Sequence, residues 1–216
     1  MKTTNPTKER VVNAATALFF QKGFDGTSVR DIAEKADVNV SLISYYFKGK
    51  QGLLEYAVTQ FYENYLQYIE ETIETSTKLS ALDKLKSLIF SIIQYKQSHH
   101  QLTCFIHREL SLDSVFVREM TVTYLAKENH YISHFFYEAL KEEHNNKNSN
   151  RHLFLMQLKG MLITPYVMQN EWRNQLGGEY SDGLFVNRYV KVLEEWLDFI
   201  VLGKKQTSSV ISTQSY

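Results

Sequence analysis

The segment from Thr27 to Lys50, TSVRDIAEKADVNVSLISYYFKGK, constrains the fold most, because it encodes two helices too short to be stable alone. Val29, Ile32, Ala33 and Ala36 recur at i, i+3, i+4 and i+7, a narrow apolar stripe on a helix that Thr27 or Ser28 caps. Ser28 and Asp31 have the spacing of a short-armed capping box. The pattern stops at Ala36-Asp37-Val38 and resumes after Asn39, a second cap, with Ile43 and Phe47 one turn apart. Both stripes must be buried against neighbours. That leaves Val40, Ser41, Leu42, Ser44, Tyr45 and Tyr46 facing outward on the second helix. Two short helices joined by a tight turn are the layout of a DNA-reading helix-turn-helix.

The remainder predicts an all-α fold. Only 2 Pro and 9 Gly punctuate long runs of Leu, Ile, Phe, Tyr, Glu and Lys. Ahead of the motif, Thr7 after Pro6 begins a helix with the stripe Val11, Ala15, Leu18 and Phe19, ended by Gly23. Behind it, Leu53 and Leu54 open a long connecting helix, followed by helices at about 80–97, 100–111, 114–143, 152–172 and 185–202. Pro165 predicts a kink in the helix over 152–172. The expected organisation is a helix-turn-helix domain over 1–50, a helical dimerisation and effector or partner domain over 51–202, and a loose tail over 203–216.

Net charge is zero, but its distribution is uneven: +2 over residues 1–60, −3 over 61–150 and +1 over 151–216. This permits a nucleic-acid partner for the first segment without demanding one. The single cysteine, Cys104, excludes an internal disulfide framework and fits a reducing cytoplasm. No run approaches the roughly 18 apolar residues that a membrane span needs. His130 and His134 share a helix face at the spacing of a zinc pair, yet no third ligand is apparent. No phosphate loop, nucleophile elbow or HExxH occurs, so neither an enzyme nor a cofactor or metal is expected.

The pieces FFQKGF (19–24), TSVRDIAEKADV (27–38) and YYFKGKQGLLE (45–55) resemble the tetracycline-repressor-type transcriptional regulators at many fixed offsets over residues 7–56. Asp37 departs from the glycine usual in the turn, and Ser44 from a common aromatic. The resemblance implies a homodimer on a palindromic site in double-stranded DNA. It also implies phosphate contacts by Thr27, Ser28, Tyr46 and Lys50, which Arg30 and Lys48 can join. The last two helices, with Leu155, Leu158, Leu162, Leu193, Trp196, Leu197 and Ile200, resemble the pair that dimerises in this family. DVNVSLISYYFKGKQGLLEYAVTQFYENY, QLTCFIHRELSLDSVFVREMTVTYLAKE and LKGMLITPYV resemble more closely one member from spore-forming bacteria. This closer resemblance implies sites near the chromosome origin, a place on the nucleoid, and restraint of the division-ring protein FtsZ.

The outward residues Val40, Ser41, Leu42, Ser44 and Tyr45 are the candidate base readers: hydroxyls for base edges, apolar side chains for thymine methyls. The bland alternative, ordinary exposed positions, leaves two neighbouring apolar side chains unexplained. No Arg or Lys stands on that face, so bidentate guanine readout is absent from this helix and part of the specificity falls to thymine contacts or DNA shape. Arg108-Glu109 and Arg118-Glu119 flank the break LSLDS and mark a candidate partner surface; solvated charge is the competing explanation. The aromatic-rich second half suits either a pocket for a small apolar effector or a filled core.

Overall fold

Asn5 starts the first helix: its side chain accepts the Thr7 amide at 3.0 Å, and Pro6, lacking an N–H, takes the first helical position. The cap therefore lies two residues before the expected Thr7. In the computed structural model residues 5–111, 115–143, 150–176 and 183–203 are described, without the side chains of 109–111, 115–118, 120, 121, 173 and 176. The described residues form helices α1 (Pro6–Lys22), α2 (Val29–Ala36), α3 (Val40–Phe47), α4 (Lys50–Thr75), α5 (Ala81–Ser98), α6 (His100–Ser111), α7 (Val115–Glu142), α8 (Arg151–Met161), α9 (Thr164–Val167), α10 (Gln169–Leu176) and α11 (Gly183–Leu202).

The expected stripes are the buried ones. Val11, Ala15, Leu18 and Phe19 of α1 meet Ile32, Ala33 and Ala36 of α2 and Ile43 and Phe47 of α3. α4, about 39 Å long at 1.5 Å per residue, closes this head with Leu53 and Leu54 and continues into the body with Phe61, Tyr65 and Ile69. A second bridge is α6, whose Phe105 stacks on Phe19 at 5.4 Å. The core thus continues from Val11 in the head to Val201 in α11. In the body α5 is central, packed by α4, α7 and α11.

Three expectations need correction. The helix over 152–172 is three pieces, α8, α9 and α10, with Pro165 in the first turn of α9. Pro165 has no N–H to offer the carbonyl of Met161, and the Tyr189 hydroxyl of α11 donates to that oxygen at 2.7 Å instead. Second, Leu155, Leu158, Leu162, Leu193, Leu197 and Ile200 are buried within the single chain, so they are core and not a free dimerisation face. Of that set only Trp196 is half-exposed, its ring edge-on to Phe154 at 6.4 Å. The exposed apolar positions on the same helices are Leu153 and Met156 of α8 and Leu184, Val192 and Phe199 of α11.

Third, Arg108 is not a free partner-binding cation. Its guanidinium donates to the carbonyls of Phe19 at 2.7 Å and Phe20 at 3.1 Å, in the last turn of α1, where the Phe19 carbonyl also accepts the Gly23 amide. Glu119 is exposed, while the side chains of Glu109 and Arg118 lie outside the described residues. So do the Asn-rich stretch 144–149, the loop 177–182 and the tail from 204 onward. No described helix is long and apolar enough to cross a membrane, and no three His, Cys, Asp or Glu among the described residues gather as metal ligands.

Cys104 is buried in α6, and burial pushes its thiol up to about 12. A thiol-specific aromatic disulfide at pH 8 should therefore modify the native chain only at its unfolding rate. Modification at the rate of a free thiol would show that the contact between α6 and α1 opens.

Candidate nucleic-acid interface

The turn between α2 and α3 is built from local hydrogen bonds. Ser28 accepts the Asp31 amide at 3.1 Å while Asp31 accepts the Ser28 amide at 2.9 Å, the reciprocal cap that the spacing predicted. The amide and hydroxyl of Ser28 hold the Asp31 carboxyl below the usual carboxylate range. Asp37 ends α2 in the left-handed conformation at φ 52°, and its amide donates to the carbonyls of Ala33 and Glu34. A short polar side chain tolerates this geometry better than most, which explains why the turn forms without glycine. Asn39 then caps α3, accepting from both the amide and the hydroxyl of Ser41 at 2.9 and 2.7 Å.

With Ile43 and Phe47 turned inward, α3 presents Val40, Ser41, Ser44 and Tyr45 to solvent, and Leu42 is half-buried. Tyr45 is 78% exposed, its ring supported edge-on by Tyr46 at 5.0 Å. Apart from that edge contact, most of the ring lies in solvent. Lys48 ends α3 at φ 59° and Gly49 follows at φ 110°, a backbone that only glycine adopts without strain, so the chain reverses sharply into α4. Arg30 and Lys48 are exposed beside this surface.

Besides Ser28, which caps α2, three further expected phosphate contacts have internal partners. Thr27 is 1% exposed and its hydroxyl donates to the Gly23 carbonyl at 2.8 Å, so the side chain ties the α1–α2 turn and is unavailable to a phosphate. The Lys50 ammonium donates to the carbonyls of Phe24 at 2.8 Å and Thr27 at 2.9 Å and lies over the Phe24 ring at 4.2 Å. It fastens α4 to the turn in front of α2. The Tyr46 hydroxyl accepts from Asn5 at 3.2 Å, and Lys8 sits over its ring at 5.4 Å, joining the start of α1 to α3. The ties of Lys50 and Tyr46 leave no trace in the sequence pattern, because their partners lie 23 to 41 residues apart and follow no helical period.

Residues 11–57 match the family model of bacterial regulatory proteins, tetR family. YttP of Bacillus subtilis (strain 168), a probable HTH-type transcriptional regulator, is 39% identical over 191 residues, which cover 88% of this chain and 92% of that protein. This chain belongs to the tetR family. Among solved structures, a TetR-like transcriptional regulator from Rhodococcus sp. RHA1 superposes with a TM-score of 0.68 at 16% identity, covering 92% of this chain and 97% of that one. The transcriptional regulator FadR of Bacillus subtilis, solved in complex with stearoyl-CoA, does so at 0.63 and 20% identity, covering 91% and 99%. These two likenesses establish the shared fold. As a tetR-family chain it is a transcriptional regulator with a DNA-binding head, and not an enzyme.

The two lysines of the motif should behave differently. Lys50→Met should lower stability by about 1.5–3 kcal/mol, as expected for lost hydrogen bonds from a charged donor, measured by urea unfolding. Lys48→Met should leave stability unchanged and reduce the salt slope of DNA binding by about one. Lys50→Met with wild-type stability would overturn the anchoring role.

Proposed function

We propose that the chain is a homodimer that binds palindromic chromosomal sites in double-stranded DNA and regulates as does RefZ, the member from spore-forming bacteria that its sequence resembles, coupling chromosome position to FtsZ assembly at the nucleoid. The exposed outer face of α3 carries the DNA half of this reading: Val40, Ser41, Ser44 and Tyr45 stand exposed on a helix whose Ile43 and Phe47 are buried. They would read base edges while Ser28, Arg30 and Lys48 contact the phosphates. Lys50 has one N–H beyond its two carbonyl partners with which to join them.

Dimerisation is assigned to the exposed apolar stripe rather than to the buried one. Leu153, Met156 and Gly160 recur at i, i+3 and i+7 on the outer face of α8. Val192 and Phe199 do the same at i and i+7 on α11. Nothing stands within 4 Å of where a Gly160 side chain would begin, room for a close helix approach. Two copies of this face give a four-helix interface about a two-fold axis, and the recognition helices then enter successive major grooves about 34 Å apart.

Two observations support a protein partner over an effector. The stretches that resemble RefZ run through α6 and α7, far beyond the DNA-binding head. The body's centre is filled by Tyr65, Phe105, Phe136 and Tyr166, all almost fully buried. The alternative, a ligand-responsive repressor, is favoured by an open cleft of about 1250 Å³ where α1, α4 and the start of α6 meet, its floor set by Phe61, Tyr95 and His99. A molecule seated there would push the head against the body.

Mapping bound sites across the genome separates these readings: palindromes clustered near the origin favour the first, and a lone site at a promoter favours the second. Glu119→Lys should weaken capture of FtsZ without changing DNA binding; unchanged capture would move the partner surface elsewhere. Phe199→Glu should yield a folded monomer by sedimentation and lower palindrome affinity at least tenfold. A dimeric Phe199→Glu would overturn the assigned interface.

A further inference from the structure

At the centre of the body a charged pair is buried away from solvent. Lys96 of α5 and Glu128 of α7 are 3% and 4% exposed, with Nζ and Oε1 3.1 Å apart. The other carboxylate oxygen accepts the Tyr65 hydroxyl of α4 at 2.5 Å. Beside Lys96, Tyr95 donates its own hydroxyl to the carbonyl of Phe61 at 2.8 Å, so α5 and α7 grip α4 at points one turn apart. His107 of α6 and Tyr166 of α9, their rings stacked at 6.3 Å, border the cluster. Burial and the Lys96 ammonium hold His107 down at about 4, so it is neutral and adds no charge to the Lys96–Glu128 pair.

Such a pair is poorly explained as a source of stability. Removing two charges from water costs several kcal/mol per ion, and apolar residues of the same volume often serve as well or better. A charged, hydrogen-bonded cluster instead fixes direction, because its bonds weaken steeply with misalignment while apolar contacts do not. Direction matters in α4 because it carries the head at its far end. Tyr65 lies 15 residues from Lys50, about 22 Å along the helix at 1.5 Å per residue. A tilt of about 10° at Tyr65 displaces Lys50 by roughly 4 Å, and two-fold symmetry can double the change in head separation. One base-pair step is about 3.4 Å, so this tilt shifts the spacing by one to two base pairs.

We propose that Glu128, through Lys96 and Tyr65, is a positioning residue for DNA binding that sets the angle of α4 and with it the half-site spacing the dimer reads. The proposal rests on the dimeric DNA-binding reading above. The probe is the palindrome that the wild-type dimer selects from a randomised duplex pool, together with versions whose spacer is longer or shorter by one and two base pairs. The double variant Lys96→Met/Glu128→Leu removes both charges at similar volume, and Tyr65→Phe removes only the hydroxyl.

The double variant should melt at or above the wild-type temperature and bind an isolated half-site normally. It should bind the selected palindrome at least tenfold more weakly, with a flattened preference among spacings. Tyr65→Phe should move the same way by a smaller factor. A folded double variant with the wild-type spacing profile would overturn the proposal. If the double variant does not fold, Tyr65→Phe decides alone, and an unchanged profile overturns it equally. A wild-type chain that selects no palindrome would instead sink the dimeric DNA-binding reading, and this proposal with it.

Discussion

An eight-residue helix has almost no stability of its own in water, since nucleation fixes several residues before the first hydrogen bond repays the entropy. The head contains two of them, α2 and α3, and everything else in it holds them in register. Their apolar stripes are the inner half of the solution. The outer half is polar and long-range: Lys50 on the carbonyls of Phe24 and Thr27, Asn5 on Tyr46, and Arg108 on the end of α1. Each tie joins segments at least 23 residues apart in the chain. The outer face of α3 is thereby fixed from behind, and its outward side chains need take no part in stability.

The division between what the sequence disclosed and what it concealed follows from range. Caps, turns and stripes are local, so the Ser28–Asp31 box, the Asn39 cap, the tolerance of Asp37 for a left-handed turn and the inward phase of Ile43 and Phe47 could all be read from neighbours in the chain. Lys50 could not be read this way. It looked like a surface cation because nothing nearby in sequence wants it, and its acceptors come into reach only after α1 and α4 pack.

The dimerisation helices were misread for a different reason. α8 has two apolar stripes of the same period: Leu155, Leu158 and Leu162 run inward, and Leu153, Met156 and Gly160, two residues earlier and so about 200° away, run outward. Periodicity identifies an apolar face but cannot say whether its own chain or a second copy will cover it. Burial within the chain takes the first stripe out of a free face and leaves the second exposed. Arg108 shows the same limit in reverse, a charge that sequence leaves on the surface and that packing draws onto α1.

The composition of the reading face constrains how DNA can be chosen. Without a guanidinium on α3, no bidentate guanine contact is available, and each hydroxyl or methyl contact discriminates less than such a pair, which is worth about 1–3 kcal/mol. Discrimination must then come from several weak contacts acting together, and they act together only if both heads are presented at one separation. Rigidity behind the head thus substitutes for strong contacts in front of it. A loosely held α4 would let each recognition helix find an adequate groove on many sequences. Under the proposed clamp the distance between half-sites becomes part of what is read, which would place specificity as much in the packing of Tyr65 and Glu128 as in Tyr45.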